Sequence, residues 1–293
     1  MIRKTLLLFH TVKHLKLSQI FNRFKRKLPN IYLRNSDELI VINPTHKVQK
    51  FISSDQTLFH NNKFRFLNQD HVILKAEDWN DKDLDKLWLY NLHYFDDLNS
   101  VNSIDRNDNH INLIQRWINE NPFNRGIGWD PYPTSLRIVN WVKWFLSKND
   151  IKKSWLKSLS IQAEHLSKNI EYHILGNHLF ANAKALIFAG LFLNCNQSKN
   201  WYMKGLKIFT KELEEQVMGD GGHFELSPMY HAIFLEDLLD IINIHNAYAR
   251  KIPIELNNIV KNMISWLQAM THPDRHLSFF NDSAIGISST FEQ

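Results

Sequence analysis

Two short polar clusters carry the residues best suited to chemistry, and each stands just ahead of a strongly apolar run. The first is Gly176-Asn177-His178; the second, some fifty residues later, runs from Gly219 through Asp220, His223, Glu225, Ser227 and Pro228 to Tyr230 and His231. Ser227 has the side chain of a helix N-cap and Pro228 the fixed φ of a first helical residue, which places Tyr230 and His231 in the first turn. Gly176 and Asn177 break into a helix that His178 begins. Helix starts offer unpaired N–H groups and positive partial charge. Two of them carrying Asn177, His178, Tyr230 and His231 therefore suit an anion and could move protons beside it. Asp130-Pro131-Tyr132-Pro133 opens a third helix in the same style and brings Arg137 and Asn140 into its first turns.

Each of these residues also has a plainer explanation. Asn177 is a good cap, and Tyr230 and His231 fit a buried ring and a hydrogen-bonded core histidine. Repetition at similar helix starts is what favours chemistry. A metal site is one rival, since His173, His178, His223, His231, Asp220 and Glu225 are sufficient in kind. No pair has the His-Glu-x-x-His spacing or another tight ligand motif, so no metal is expected. A pair of carboxylates for glycoside hydrolysis, drawn from Asp130, Asp220 and Glu225, is the second rival. Asn91 to Asp97 adds a polar-aromatic cluster containing His93 and Tyr94. There is no glycine-rich phosphate loop, no Gly-x-Ser-x-Gly elbow and no nucleic-acid module.

The elements that must position these residues read as helices over about 83–99, 108–120, 133–148, 151–172, 177–194, 199–217, 227–249 and 254–271, with short loops rich in Gly, Pro, Asn or Asp. Residues 177–194 carry Leu179, Ala183, Leu186, Gly190 and Leu193 as the stripe of a buried face, and 227–249 are apolar nearly all round. Residues 199–217 keep Lys204, Lys207, Lys211, Glu214 and Glu215 on a wet face. Inner apolar helices alternating with outer amphipathic ones predict an all-α fold, an incomplete (α/α) toroid of helical hairpins, with a plain bundle as the alternative. Before residue 80 the pattern is mixed, with β-like runs at 38–42, 64–67 and 72–74. The division is thus 1–80, a basic helix over 3–28 and a mixed segment, and 81–293, the toroid.

At 293 residues and 44% apolar content the chain can bury a large core. Its one cysteine, Cys195, excludes an internal disulfide. A net charge of +5 fits an acidic partner without demanding one. Nine tryptophans, eight tyrosines and nineteen phenylalanines fill cores and also make platforms for sugar rings. Trp129, between glycine and proline in an irregular stretch, is the best candidate for an exposed one. The apolar run Leu6 to Phe9 is too short for a signal peptide and no stretch reaches membrane-spanning length, so a cytoplasmic protein is expected. The basic helix could touch a membrane surface, though packing on the main domain is favoured.

Four stretches together resemble the N-terminal domain of heparinase II/III-like proteins: Leu87 to Asp96, Trp129 to Trp141, Glu171 to Asn182 and Asp220 to His231. The resemblance spans roughly residues 60–290 in consistent order. It implies an (α/α) toroid followed by an antiparallel β-sandwich, in polysaccharide lyases that act on uronate-containing glycans and need no cofactor. Asn177, aided by His178, matches the group that neutralises the uronate carboxylate, and Tyr230 the catalytic tyrosine; His231 lies beside it. A base role for Tyr230 would need a lowered pKa, which the helix start and His231 would supply. Arg137 would orient the acidic chain, with Trp129, His93, Tyr94, Asn140, Glu225 and His223 as further substrate-binding candidates. The family's further catalytic histidine comes from the sandwich, and the chain stops before any such domain. Its partner is therefore expected to be an acidic polysaccharide or oligosaccharide, either cleaved by β-elimination or bound without turnover. The segment Leu277–Ile287, with Phe279, Phe280 and Ile285, is expected to be poorly covered.

Overall fold

Burial alternates from helix to helix along most of the chain. The structure, a computed structural model, describes residues 10, 15–25, 39–284 and 286–289. After α1 (Leu17–Lys25) come α2 (Lys86–Tyr94), α3 (Asn107–Glu120), α4 (Pro131–Phe145), α5 (Lys153–Lys168) and α6 (Gly176–Phe192). They are followed by α7 (Ser198–Gln216), α8 (Pro228–Ala247) and α9 (Asn257–Ala269). Every residue from Leu179 to Ala189 in α6 is buried, and α4 and α8 bury most of theirs. In α7 the lysines and glutamates named above stay exposed, and α9 buries only Met263 and Leu267. Helices α2, α4, α6 and α8 are neighbours in an inner layer, with α3, α5, α7 and α9 packed outside them. Four hairpins arranged this way make an incomplete (α/α) toroid.

All eight expected helices are present, with ends shifted by a few residues. Each start has a physical cause. The Asp85 carboxylate accepts from Leu87 N–H at 2.7 Å and Trp88 N–H at 3.3 Å to open α2. Pro131 sits in the first turn of α4. Ser227 caps α8 as expected, its Oγ accepting from Tyr230 N–H at 3.2 Å, with Pro228 first in the helix. The start of α6 differs from expectation: it begins at Gly176, so Asn177 lies inside the first turn and is not the cap. Leu175 precedes it at φ 70°, ψ −159°, and Leu226 precedes Ser227 at φ 53°. Such backbone is disfavoured for a side chain with a Cβ, and it concentrates at functional sites.

The mixed segment is fastened to this array. Strands β2 (Leu58–Phe59), β3 (Lys63–Phe66) and β4 (Gln69–Val72) form an antiparallel sheet with Phe64 opposite His71. Leu58, Phe64 and Phe66 enter the same core as the helices. Strand β1 (Ile40–Val41) pairs with β5 (Leu193–Asn194), just beyond the end of α6. Of the basic helix expected over 3–28, α1 is described. It packs on the toroid through a Lys16–Glu215 ion pair and a Gln19 Nε2–H bond to His173 O at 3.3 Å. Among the described residues no helix is long and apolar enough to cross a membrane.

Between α7 and α8 the glycine-rich stretch forms a tight hairpin, closed by Met218 N–H to Gly222 O and Phe224 N–H to Gln216 O, each 2.9 Å. Gly221, at φ 92°, passes so near α9 that a Cβ would stand 2.5 Å from the Asn262 carbonyl carbon. Gly221 and Gly222 thus serve close packing on α9.

Candidate active site

The starts of α4, α6 and α8 meet at one end of the toroid. The His178 ring stacks on Tyr132 with centroids 4.2 Å apart, and Tyr132 meets the edge of Tyr94 at 5.9 Å. Tyr132 and Tyr230 lie close enough to affect each other's ionisation. Glu225 bridges the two clusters first singled out in the sequence, because a Cβ on Gly176 would stand 3.5 Å from its Oε1. Asn177, His178, Tyr230, Glu225 and Tyr94 therefore gather at one end of the toroid, joined by Tyr132, which sequence reasoning had not singled out.

At this end, Asn177 is half-buried and its side-chain amide makes no hydrogen bond among the described residues. His178 Nδ1 is 3.2 Å from Glu171 Oε1, and its Nε2 has no partner among the described residues. The Tyr230 hydroxyl lies near the Asp282 carboxylate. Burial, followed by the Asp282 and Glu225 charges, raises its pKa above the ordinary value. This corrects the expectation that the helix start and His231 would lower it: two carboxylates and desolvation outweigh one helix terminus. Burial and Asp282 likewise raise the Glu225 carboxyl. Asn140, one layer deeper, donates to Tyr94 O at 2.9 Å and to Asp96 Oδ1 at 2.7 Å, so it supports this group.

Five expected site residues sit elsewhere, each for a packing reason. His231 is fully buried and stacked on Trp266 at 4.4 Å. Its Nδ1 accepts from His223 N–H at 3.2 Å and its Nε2 bonds Met263 O at 2.9 Å, so no ring nitrogen is left for a ligand. His223 is buried between Phe224 and Phe234, with Nε2 on Gln216 Oε1 at 3.1 Å. His93 is fully buried, its Nδ1 accepting from Trp117 Nε1–H and its Nε2 bonded to Trp79 O, both at 3.0 Å. Arg137 is fully buried too. Its bonds go to Gln162 Oε1 at 2.8 Å, His93 O at 3.3 Å and Thr134 Oγ1 at 3.3 Å, and its guanidinium lies over the Trp117 ring at 3.8 Å. It therefore cannot orient an acidic chain. Trp129, taken as exposed, is 6% exposed and packs against Trp117, Phe123 and His165.

The rival chemistries find less support in the geometry. Asp220 is exposed and takes Gly222 N–H at 2.9 Å in the hairpin turn, while Asp130 is held by Tyr90 at 2.5 Å and Lys86 at 3.4 Å. Neither is positioned to pair with Glu225. Among the described residues no three His, Cys, Asp or Glu side chains gather to hold a metal ion.

Two features were missed. Glu171 is buried beside His178, and only its place in the quoted Glu171 to Asn182 stretch could have flagged it. Deeper still, Lys143 and Lys184 both pair with Asp240, and Lys184 with Asp237 at 2.6 Å. Burial pulls the Asp240 carboxyl up, but these ammonium groups hold it below its ordinary value. Single charges on apolar helices gave no sign of partners so far apart in sequence. A separate cleft of about 660 Å3, lined by Lys50, Lys143 and Lys148, opens at the other end of α4. It lies roughly 20 Å from Tyr132 along the helix.

The fold is thus an open ring of helical hairpins whose inner helix starts gather an amide, a carboxylate-held imidazole and a phenol. The chain belongs to the heparinase II/III family: the family model for the heparinase II/III N-terminus matches residues 13–292. It is 32% identical over 138 residues to a heparin-sulfate lyase of Pedobacter heparinus, covering 45% of this chain and 20% of that one. With a heparin-sulfate lyase of Bacteroides stercoris the identity is 31% over 117 residues, 39% and 18% of the two chains. A solved heparinase III structure shares the fold with a TM-score of 0.56 at 18% identity, over 93% of this chain and 48% of that one. The chain thus spans under half the length of the relatives it matches.

Proposed function

We propose that this chain is the toroid part of a lyase that cleaves uronate-containing acidic polysaccharides by β-elimination. One observation carries the reading: the unbonded Asn177 amide, the His178 Nε2 and the Tyr230 hydroxyl gather at neighbouring helix starts. The relatives named heparin-sulfate lyases support a sulfated uronate glycan as the substrate class.

In this reaction the C5 proton beside the uronate carboxylate leaves, its electron pair forms the C4–C5 double bond, and the 4-linked oxygen departs and takes a proton. The C5 proton is weakly acidic until the carboxylate charge is offset. The Asn177 amide would donate to the carboxylate and stabilise the enolate that develops, an effect worth about 3–4 kcal/mol per preorganised donor, with His178 Nε2 holding the sugar beside it. Tyr230, whose pKa is raised, stays protonated at neutral pH, which suits it to protonate the departing oxygen. The base that takes the C5 proton would come from the β-sandwich that the resemblance implies. Exposed Phe279 and Phe280, at 64% and 57%, lie on the segment that would lead to it.

Titrating the 293-residue chain with a heparan sulfate oligosaccharide tests the binding half of this reading. Asn177→Ala and His178→Ala should each weaken binding about tenfold or more, the equivalent of one hydrogen bond. Tyr230→Phe should bind nearly as the parent does. Equal affinity in all four proteins would place the glycan elsewhere and end the proposal.

A further inference from the structure

Glu171 is only 4% exposed, and a carboxylate at that depth persists only with hydrogen-bond donors around it. It has two side-chain donors. Asn182 Nδ2 donates to Oε2 at 3.1 Å, and His178 Nδ1 lies 3.2 Å from Oε1. Asn182 is itself fully buried, and each part of its amide has a task. Its Oδ1 accepts from Glu171 N–H at 2.8 Å, and its Nδ2 also donates to Ser135 Oγ at 3.0 Å. The Ser135 proton is committed to Pro131 O at 2.8 Å, so only an N–H can face that hydroxyl oxygen. The amide therefore has one orientation, and it fixes the carboxylate that His178 meets.

We propose that Glu171 is a positioning residue: it holds His178 as the Nδ1–H tautomer in one rotamer, so that Nε2 is the nitrogen presented to the ligand beside the Asn177 amide. An ionised carboxylate only accepts hydrogen bonds, so the nitrogen facing it must carry the proton. Tyr132 stacked at 4.2 Å holds the ring plane. Two of the buried histidines are built the other way. His93 and His231 each accept at Nδ1 from an N–H and donate from Nε2 to a carbonyl, which exhausts both nitrogens. His178 alone among these three keeps a nitrogen for something outside the protein. In this tautomer Nε2 carries a lone pair and no proton, so it accepts from a hydroxyl or N–H of the glycan while the Asn177 amide meets the uronate carboxylate. This role rests on the glycan-site reading above, whereas the tautomer itself can be read without any ligand.

The discriminating variant is Glu171→Gln. Asn182 Nδ2–H still demands an acceptor, so the new side chain must turn its oxygen to Asn182 and its NH2 to His178. Nδ1 then has to accept, and the proton moves to Nε2. Long-range 1H–15N spectra of the 15N-histidine-labelled chain report the tautomer, with His178→Asn identifying the signals. We expect Nδ1–H in the parent, Nε2–H in Glu171→Gln, and unchanged circular dichroism. Nε2–H in the parent, or the same tautomer in both proteins, would overturn the proposal. Should Glu171→Gln fail to fold, the parent spectrum still decides. A heparan sulfate oligosaccharide should then shift the His178 signals in the parent and bind Glu171→Gln about tenfold more weakly. The stated tautomer with no response to the oligosaccharide would contradict the glycan reading and leave the Glu171 contact intact.

Discussion

Tyr230 is protonated at neutral pH, and burial with the nearby Asp282 and Glu225 carboxylates keeps it so, which suits it to give a proton rather than to act as a base in the proposed elimination. Tyr230→Phe should abolish unsaturated product while glycan binding persists, a split that a binding titration and a product assay on the same protein would reveal. The buried histidines make a second prediction. Burial lowers His231 and His223 to about 4, and burial with the Arg137 charge lowers His93 to about 3, against an ordinary value of 6.5. Below pH 6.5 the unfolded chain takes up protons that the folded chain refuses. Their stabilisation is complete above that pH and is lost as pH falls towards 4, by at most about 1.4 kcal/mol per pH unit for each histidine. Urea midpoints measured at pH 7, 5.5 and 4.5 should fall in that order, and a flat series would contradict the burial. The place of Tyr230 was legible because Ser227 and Pro228 fix the start of its helix, and the places of Asn177 and His178 were legible to within a residue or two. Arg137, His93, His223 and His231 were not, since a residue type is the same letter whether its polar atoms face a cleft or are used up by a neighbour such as Trp117 or Met263.

The inner helices were legible as elements because α6 and α8 are apolar nearly all round, which only burial on most sides satisfies. Their starts were less so. Ser227-Pro228 announced α8, whereas α6 begins at Gly176 after a strained Leu175 that no local signal marks. Ser227 does more than cap: its Oγ also bonds Asp282 O at 2.8 Å and meets Ser283 Oγ at 3.0 Å, tying the C-terminal segment over the start of α8. Ser227→Ala should cost about 1 kcal/mol for the cap. It should also speed proteolysis within 279–284, which limited digestion followed by mass spectrometry would show. Unchanged stability and digestion would mean that the cap and tie carry no weight.

Across the whole molecule, the inner helices are held in register by ion pairs that no single helix could make. Lys143 on α4 and Lys184 on α6 converge on Asp240 of α8. Asp240→Asn would leave two buried ammonium groups short of a carboxylate. It should destabilise the fold by about 3–5 kcal/mol, read from thermal or urea unfolding; a loss under 1 kcal/mol would show the pairs to be incidental. The ring itself could be read from alternating inner and outer helices, but its inner charges could not, because the partners lie some fifty to a hundred residues apart. At this scale the central claim concerns the reaction. The most direct measurement is the ultraviolet absorbance of a heparan sulfate digest made by the protein in its full native length. β-Elimination leaves a C4–C5 double bond conjugated with the carboxylate, so absorbance should rise in step with new reducing ends and vanish in Tyr230→Phe and Asn177→Ala. Reducing ends without absorbance, or full activity in either variant, would contradict the account.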